Sequence, residues 1–450
     1  MVTTLKQGKG RFSLGENTSK PTLLTKPPLI LLGVQDTTHK KNGLYIFNDR
    51  IDSTEYQKIP SDFLKDPQKS PIERETPRAF CVDKKNVFVL TKNYLWSLYH
   101  DTTTQNFKEI SSRKLRDYFP IQELSAEDST DDILKIFSII GTDNFSGSMV
   151  LDSDRNLYVG LYAADTSKKV LSSECRLLKL PRGILNGQDA MQFRIIPDVS
   201  PTGSMFFYGD ELLVPSVDKI QCLENDIFKK FYPSQETSGK NVLAMSVLED
   251  ILLATDVTGG YFIEKAGRPY ARLEDLGFAY LDRHEQRTYL PMEAMSAAVV
   301  KFNEKYYTLF GSDDSKIFIY GLDVSSRTVN PTYLKTVAFF SCEKAREAGS
   351  NVIMNLSYDA QSDYVSFTLR NLFIRVGMGE LLGQKGRISA DIEEDRTIKQ
   401  KKGIPENEMD EMIQKDMTQY ISNLKTFYNL DCVYAVPHRI TSWVQYRGVE

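Results

Sequence analysis

The feature that most constrains this chain is a strand–turn–strand unit that recurs along most of its length. Its clearest copy is Ser148 to Tyr162, SMVLDSDRNLYVGLY. An apolar run, Met149 to Leu151, leads into Asp152-Ser153-Asp154-Arg155-Asn156. Asp and Asn side chains bond nearby backbone and so favour a turn there. Leu157 to Tyr162 then supplies the aliphatic and aromatic residues that suit a pleated surface.

Units of three such strands follow one another. Ala79 to Asp83, Asn86 to Thr91 and Tyr94 to Tyr99 form one, with Lys84-Lys85 and Lys92-Asn93 as tight turns. Others are centred on Leu157 to Tyr162, Glu211 to Ser216, Asp250 to Asp256, Lys305 to Gly311 and Asp363 to Leu369. These middle strands recur at about 40 to 70 residues, and the lower bound is the size of one four-stranded propeller blade. A lone antiparallel sheet of this size cannot bury its apolar face, whereas radial stacking gives every face a partner and leaves only short edges. With the strands at Leu29 to Val34 and at the C-terminus, the chain holds six to eight candidate units, and we read seven. The expected fold is therefore all-β, a β-propeller with helical insertions and a C-terminal amphipathic helix. A pair of β-sandwiches or two stacked β-domains is the competing architecture. No WD dipeptide or kelch di-glycine recurs.

Residues 1–26 are polar and read as an N-terminal arm, and 27–381 as the propeller. Within it, Ser111 to Gly141 carries helical spacing, and a helical insertion is expected at about 111–141. Residues 382–403 are densely charged and read as a loop or arm. Pro405 then opens an amphipathic helix over 404–428, with Glu406, Glu408 and Asp410 at its N-terminal end. Met409, Ile413, Met417, Tyr420 and Leu424 recur at three and four and form one apolar face. Packing on the propeller flank is the ordinary use of such a face. A Met-rich stripe also adapts well to a partner subunit, which makes these five the candidate partner-binding residues. Residues 429–450 return to strand, Cys432 to Val436 and Ile440 to Tyr446, a pair suited to closing a ring by completing a blade begun near the N-terminus.

The chemistry expected is sparse. Asp152, Asp154 and Asn156 have the opening spacing of a calcium loop, but Leu157 and Ala163 stand where its glycine and distal acid belong, so a hairpin turn is the better account. The four histidines, His39, His100, His284 and His438, are far apart. His284-Glu285 lacks the second histidine of a zinc-protease motif, because Thr288 holds that place. Ser146 and Ser13 lack the flanking glycines of a nucleophile elbow. Gly259-Gly260 reads as a turn between strands. The basic clusters Arg113-Lys114-Arg116, Lys385 with Arg387, and Lys399-Lys401-Lys402 are local. The last lies close to Glu393-Glu394-Asp395, and the net charge is −4 from 56 basic and 60 acidic residues. That balance argues against nucleic-acid readout. Five scattered cysteines, an odd number, argue against a disulfide framework or a zinc site, and point to a reducing compartment. No segment of signal-peptide type opens the chain, and no run approaches the roughly 18 apolar residues of a membrane span. The expected location is cytoplasmic or within a virion, with no cofactor.

The strand–turn–strand MVLDSDRNLYVGLY resembles that of many propellers, including the lactonase and NHL-type groups. There an apolar strand ends in Asp, a short polar turn follows, and N-L-Y-V begins the next strand. The lactonase metal-ligand pattern has no match here, so no site is carried over. A second resemblance is to the nozzle or hub propellers of short-tailed phage tails. It rests on GRFSLGEN at Gly10 to Asn17, on irregular blades with long insertions, and on VPHR…SWVQYR at Val436 to Arg447. It implies a ring-forming structural protein whose arms and insertions lock neighbouring subunits. The leading expectation is thus a non-catalytic propeller scaffold in a larger assembly, with other protein subunits as partners. A propeller hydrolase or lactonase with a channel site, or a cellular adaptor, are the alternatives.

Overall fold

A computed structural model of the full chain describes residues 29–35, 43–48, 57–58, 76–84, 86–101, 106–114, 145–163, 176–181, 194–197, 199, 201–216, 219–232, 242–249, 251–256, 259–264, 271–272, 279–281, 287–289, 294–312, 316–324, 330–338, 352–369, 372–383, 432–435 and 439–446. Seven four-stranded antiparallel sheets dominate it, and each is built in strand order except the first. Blade 1 runs Arg439–Tyr446, Leu29–Gln35, Gly43–Asn48, Gln57–Lys58. Blade 2 is Ala79–Asp83, Asn86–Leu90, Tyr94–Asp101, Asn106–Lys114. Blade 3 is Phe145–Leu151, Leu157–Ala163, Arg176–Leu180, Arg194–Ile196. Blade 4 is Phe206–Tyr208, Glu211–Pro215, Ile220–Glu224, Ile227–Tyr232. Blade 5 is Val242–Leu248, Ile251–Asp256, Gly259–Glu264, Ala271–Arg272. Blade 6 is Ala294–Phe302, Lys305–Ser312, Lys316–Asp323, Asn330–Ala338. Blade 7 is Ile353–Asp359, Tyr364–Leu369, Leu372–Gly377, Cys432–Ala435. A two-stranded pair, Ala279–Leu281 with Arg287–Tyr289, precedes blade 6, and a short helix, Met378–Gly383, follows the third strand of blade 7.

The first strand of each blade meets the first strand of the next, which places these strands innermost. Six of the seven junctions carry a hydrogen bond there from a side chain. Thr441 and Ser442 hydroxyls donate to the Pro77 carbonyl at 2.7 and 3.2 Å (blade 1 to 2). Ser148 Oγ accepts from the Met205 amide at 2.9 Å (3 to 4), and Thr202 donates to the Val242 carbonyl at 3.3 Å (4 to 5). Ser246 Oγ accepts from the Val299 amide at 2.9 Å (5 to 6), and Ser296 donates to the Ile353 carbonyl at 2.7 Å (6 to 7). Trp443 Nε1 donates to the Asn355 carbonyl at 3.1 Å, joining blade 7 to blade 1. At the remaining junction Gly147 lies so close to Leu90 that a Cβ on it would stand 2.4 Å from Leu90 Cδ2. The circuit returns to its start. The chain is a β-propeller.

Blade faces bury continuous apolar seams. Blades 6 and 7 share Leu309, Ile319, Ile353, Phe367 and Ile374. Blades 1 and 2 share Leu31, Leu44, Val89 and Trp96, and blades 7 and 1 meet through Phe373, Ile30 and Leu32. Each such side chain contributes roughly 1.5–3 kcal/mol by leaving water. Buried strands here read as near-continuous apolar runs, because both faces of a blade pack on neighbours.

Four expectations change. Ser111 to Lys114, assigned to a helical insertion, is the end of the fourth strand of blade 2. It pairs with Tyr94 to Ser97, and the remainder of 111–141 lies outside the described residues. Gly259 and Gly260 are strand rather than turn, paired with Asp256 and Thr255. Leu382 and Gly383, given to the charged arm, complete the short helix. The two terminal strands do not act as a pair. Arg439–Tyr446 becomes the innermost strand of blade 1 against Leu29–Gln35, while Cys432–Ala435 becomes the outermost strand of blade 7. Strand direction explains the split: the chain passes from the rim of one blade to the hub of the next, as at other blade junctions. Residues 1–26 and 404–428, the arm and the amphipathic helix of the sequence reading, lie outside the described residues.

Candidate functional site

Antiparallel order puts the first and third turns of blades 2 to 7 on one face of the ring. Polar side chains at these turns bridge neighbouring blades. Arg155, held at φ 66° in the turn after Leu151, pairs with Asp83 of blade 2. Glu249 of blade 5 accepts from Lys301 Nζ of blade 6 at 2.8 Å and from the Tyr306 hydroxyl. The Tyr358 hydroxyl donates to the Lys301 carbonyl, 2.7 Å away, and sits 2.7 Å from Asp363 Oδ1. Gln445 of blade 1 donates to Asp359 of blade 7 at 2.9 Å. The Lys301 ammonium and the Tyr306 hydroxyl hold the Glu249 carboxyl below its usual range.

The bridge between blades 3 and 4 encloses a cavity of about 280 Å³. Its centre is Asp226, in the two-residue turn Asn225-Asp226 that joins the third and fourth strands of blade 4. Both residues have positive φ, 52° and 66°, the mirror-image turn that suits a hairpin and that Asn and Asp tolerate. Asp226 Oδ1 accepts from the Tyr158 hydroxyl at 2.5 Å. Its Oδ2 meets Lys179 Nζ at 2.7 Å and Arg194 Nη1 at 3.5 Å. The carboxylate is 5% exposed, so its charge is answered where water does not reach it. Lys179 also lies 5.1 Å from the centroid of the Tyr158 ring, which meets Phe207 edge-on at 5.7 Å. Burial, and then the bond to Asp226, push the Tyr158 phenol far above its ordinary value. It stays protonated at neutral pH and serves as a donor. Leu177, Ile196, Leu212 and Leu223, all buried, form the apolar floor, and Asp152, Asp154, Asp210 and Asn225 stand at the rim. Both oxygens of the central carboxylate are engaged by Tyr158, Lys179 and Arg194, so the bridge ties blade 3 to blade 4 and leaves the rim carboxylates Asp154 and Asp210 as the open groups of the cavity.

The Asp152 turn is structural in the way its missing glycine implied. Asp152 Oδ1 accepts from the Asn156 amide and Oδ2 from Asn156 Nδ2, each at 2.7 Å. Among the described residues, no group of three or more His, Cys, Asp or Glu side chains is placed to hold a metal ion. His100 is buried beside Phe107 and Tyr446, with ring centroids 4.8 and 5.0 Å apart. His39, His284 and His438 lie outside the described residues, as do Met409, Ile413, Met417, Tyr420 and Leu424. Cys81 and Cys222 are buried free thiols, and burial pushes the Cys81 thiol up to about 12. Sequence reading found the Asp152 turn but passed over Asn225-Asp226. Its signal was present: an Asn-Asp pair between two apolar runs is a hairpin turn.

No protein-family model matches the sequence, and no curated protein matches it. Solved structures match in shape. The periplasmic gluconolactonase PpgL of Pseudomonas aeruginosa is 14% identical, with 80% of this chain and 94% of that one covered and a TM-score of 0.46. The Pan2 WD40 domain of Neurospora crassa is 8% identical, with 76% and 85% covered and a TM-score of 0.42. A functionally unknown protein from Desulfotomaculum acetoxidans is 8% identical, with 78% and 93% covered and a TM-score of 0.43. No helix among the described residues is long and apolar enough to cross a membrane.

Proposed function

We propose that the protein is a non-catalytic propeller scaffold that binds other protein subunits within a larger assembly. One observation carries this reading. The large apolar side chains left exposed among the described residues all lie on outermost strands: Ile110 in blade 2, Ile227 and Phe228 in blade 4, and Leu334 in blade 6. Single exposed apolar residues are ordinary on a protein surface, and it is their confinement to outermost strands, with Ile227 and Phe228 consecutive, that supports contact at the perimeter. The polar turn residues are engaged between blades, which suits a rigid platform. Arg439–Tyr446, the described part of the VPHR…SWVQYR stretch that suggests a phage tail nozzle, has a use inside the fold as the ring-closing strand, so the assembly proposed here is not tied to a virion.

Light scattering on the purified 51.3 kDa chain tests the reading. A mass several times that of the monomer, reduced to one chain by Ile110→Lys, Ile227→Lys and Leu334→Lys together, is expected. A monomer at all concentrations that hydrolyses lactones would instead favour the enzyme alternative.

A further inference from the structure

The cavity between blades 3 and 4 has three properties that belong together. First, at about 280 Å³ it falls just under the roughly 300–1,000 Å³ of small-molecule sites, a size that fits one long side chain better than a cofactor. Second, its floor is aliphatic and its rim acidic. Leu177, Ile196, Leu212 and Leu223 lie beneath, while Asp154 and Asp210 are exposed at the mouth. Lys179, the cavity's own cation, is tied to Asp226 inside. Third, the chain leaves the cavity wall at Asp226 directly into Ile227, 64% exposed, and Phe228, 42% exposed. Phe228 pairs with Leu223 of the floor and shares that residue's face of the blade, toward the opening, whereas Ile227, paired with Glu224, projects to the other face.

We propose that this opening anchors a protein partner through an arginine or lysine side chain, with an apolar residue of the same segment lying on Phe228. A long basic side chain is apolar along its stem and charged at its tip. The stem matches the half-buried apolar wall, Leu151 and Phe207, above the buried floor, and the head meets Asp154 and Asp210 without displacing the Tyr158–Asp226–Lys179 bridge. A negatively charged group would face the rim carboxylates, while Lys179 and Arg194, the cations nearest the opening, are already turned to Asp226. The proposal rests on the scaffold reading and names the chemistry of one contact.

Fluorescence anisotropy with the full chain tests it, using two labelled heptapeptide pools that carry leucines at fixed flanking positions. One pool has arginine at its centre and the other glutamate. The arginine pool is expected to bind saturably and the glutamate pool not. Asp154→Asn with Asp210→Asn, both at exposed sites, should weaken the arginine pool about tenfold and reduce its salt dependence, and Phe228→Ser should weaken it severalfold. Urea midpoints of the variants report whether the fold is intact, and Asp210→Asn alone serves if the double variant is impaired. Equal binding of both pools, no saturation, or affinity untouched in folded variants would overturn the proposal. A chain that keeps its assembled mass while failing to bind the arginine pool would remove this contact and leave the scaffold standing. A monomer that binds the pool with the expected selectivity would do the reverse.

Discussion

Gly311 shows how closely the blades approach. It lies in the second strand of blade 6, and a Cβ there would stand 2.5 Å from Ser296 Oγ and 2.6 Å from Ile353 Cγ2. Those are the two residues that link the hub strands of blades 6 and 7, so one methyl group would strike both the hydrogen bond and the packing. Gly311→Ala is expected to cost about 1–3 kcal/mol, read as a shift in the urea midpoint with the slope unchanged. Gly33 stands in the same relation to Pro77 and Ser442 at the seam of blades 1 and 2. Nothing in the local sequence marks such glycines. Each sits inside an apolar strand, and its reason lies in a neighbour from another blade.

At the scale of elements, the second and third strands of most blades were legible because packing on both faces makes them apolar throughout. Asn86–Leu90 and Tyr94–Asp101 are examples, with nearly every side chain buried or half-buried. Apart from Cys432–Ala435, the outermost strands were not legible, because only one of their edges is paired and their side chains meet water. NFKEISSRK in blade 2 has few apolar positions to set a period, and in IFKKFY of blade 4 Lys229-Lys230 interrupts the apolar pattern. The end of the first was therefore read as helix. The candidate site was missed for a related reason: Tyr158 and Asp226 are 68 positions apart, and the turns that bring them together belong to different blades. The closing strand gives the sharpest test at this scale. A chain ended at residue 438 loses Arg439–Tyr446, including buried Ile440 and Tyr446, and with them roughly 3–6 kcal/mol. Denaturation is expected to shift to lower urea and X-ray scattering to show a larger radius. A synthetic peptide of residues 439–446 should reverse both changes.

For the whole molecule, the turn-face bridges make stability depend on pH at its alkaline limit. Burial and then bonds to carboxylates raise the Tyr158 and Tyr358 phenols well above their ordinary 10.0, and burial raises Tyr446 to about 12. A tyrosine whose folded value is raised keeps its proton in the native state after the unfolded chain has lost its own. Its contribution is therefore complete below pH 10 and falls away as pH climbs above it. Thermal melting should decline from about pH 10 upward, and Tyr158→Phe with Tyr358→Phe should flatten that decline while lowering the plateau at neutral pH. The same closed ring has a consequence in time. Gly33 and Thr441, joined by a hydrogen bond at the seam of blade 1, are 408 positions apart. At ribosomal rates of about 5–20 residues per second, roughly 20–80 s separate their synthesis. Throughout that interval Leu29–Gln35, among the most apolar strands of the chain, lacks its partner on the hub side. A nascent chain of this kind carries a bare, adhesive edge until Arg439–Tyr446 has been made, so its yield in a cell depends on whatever shields that edge in the meantime.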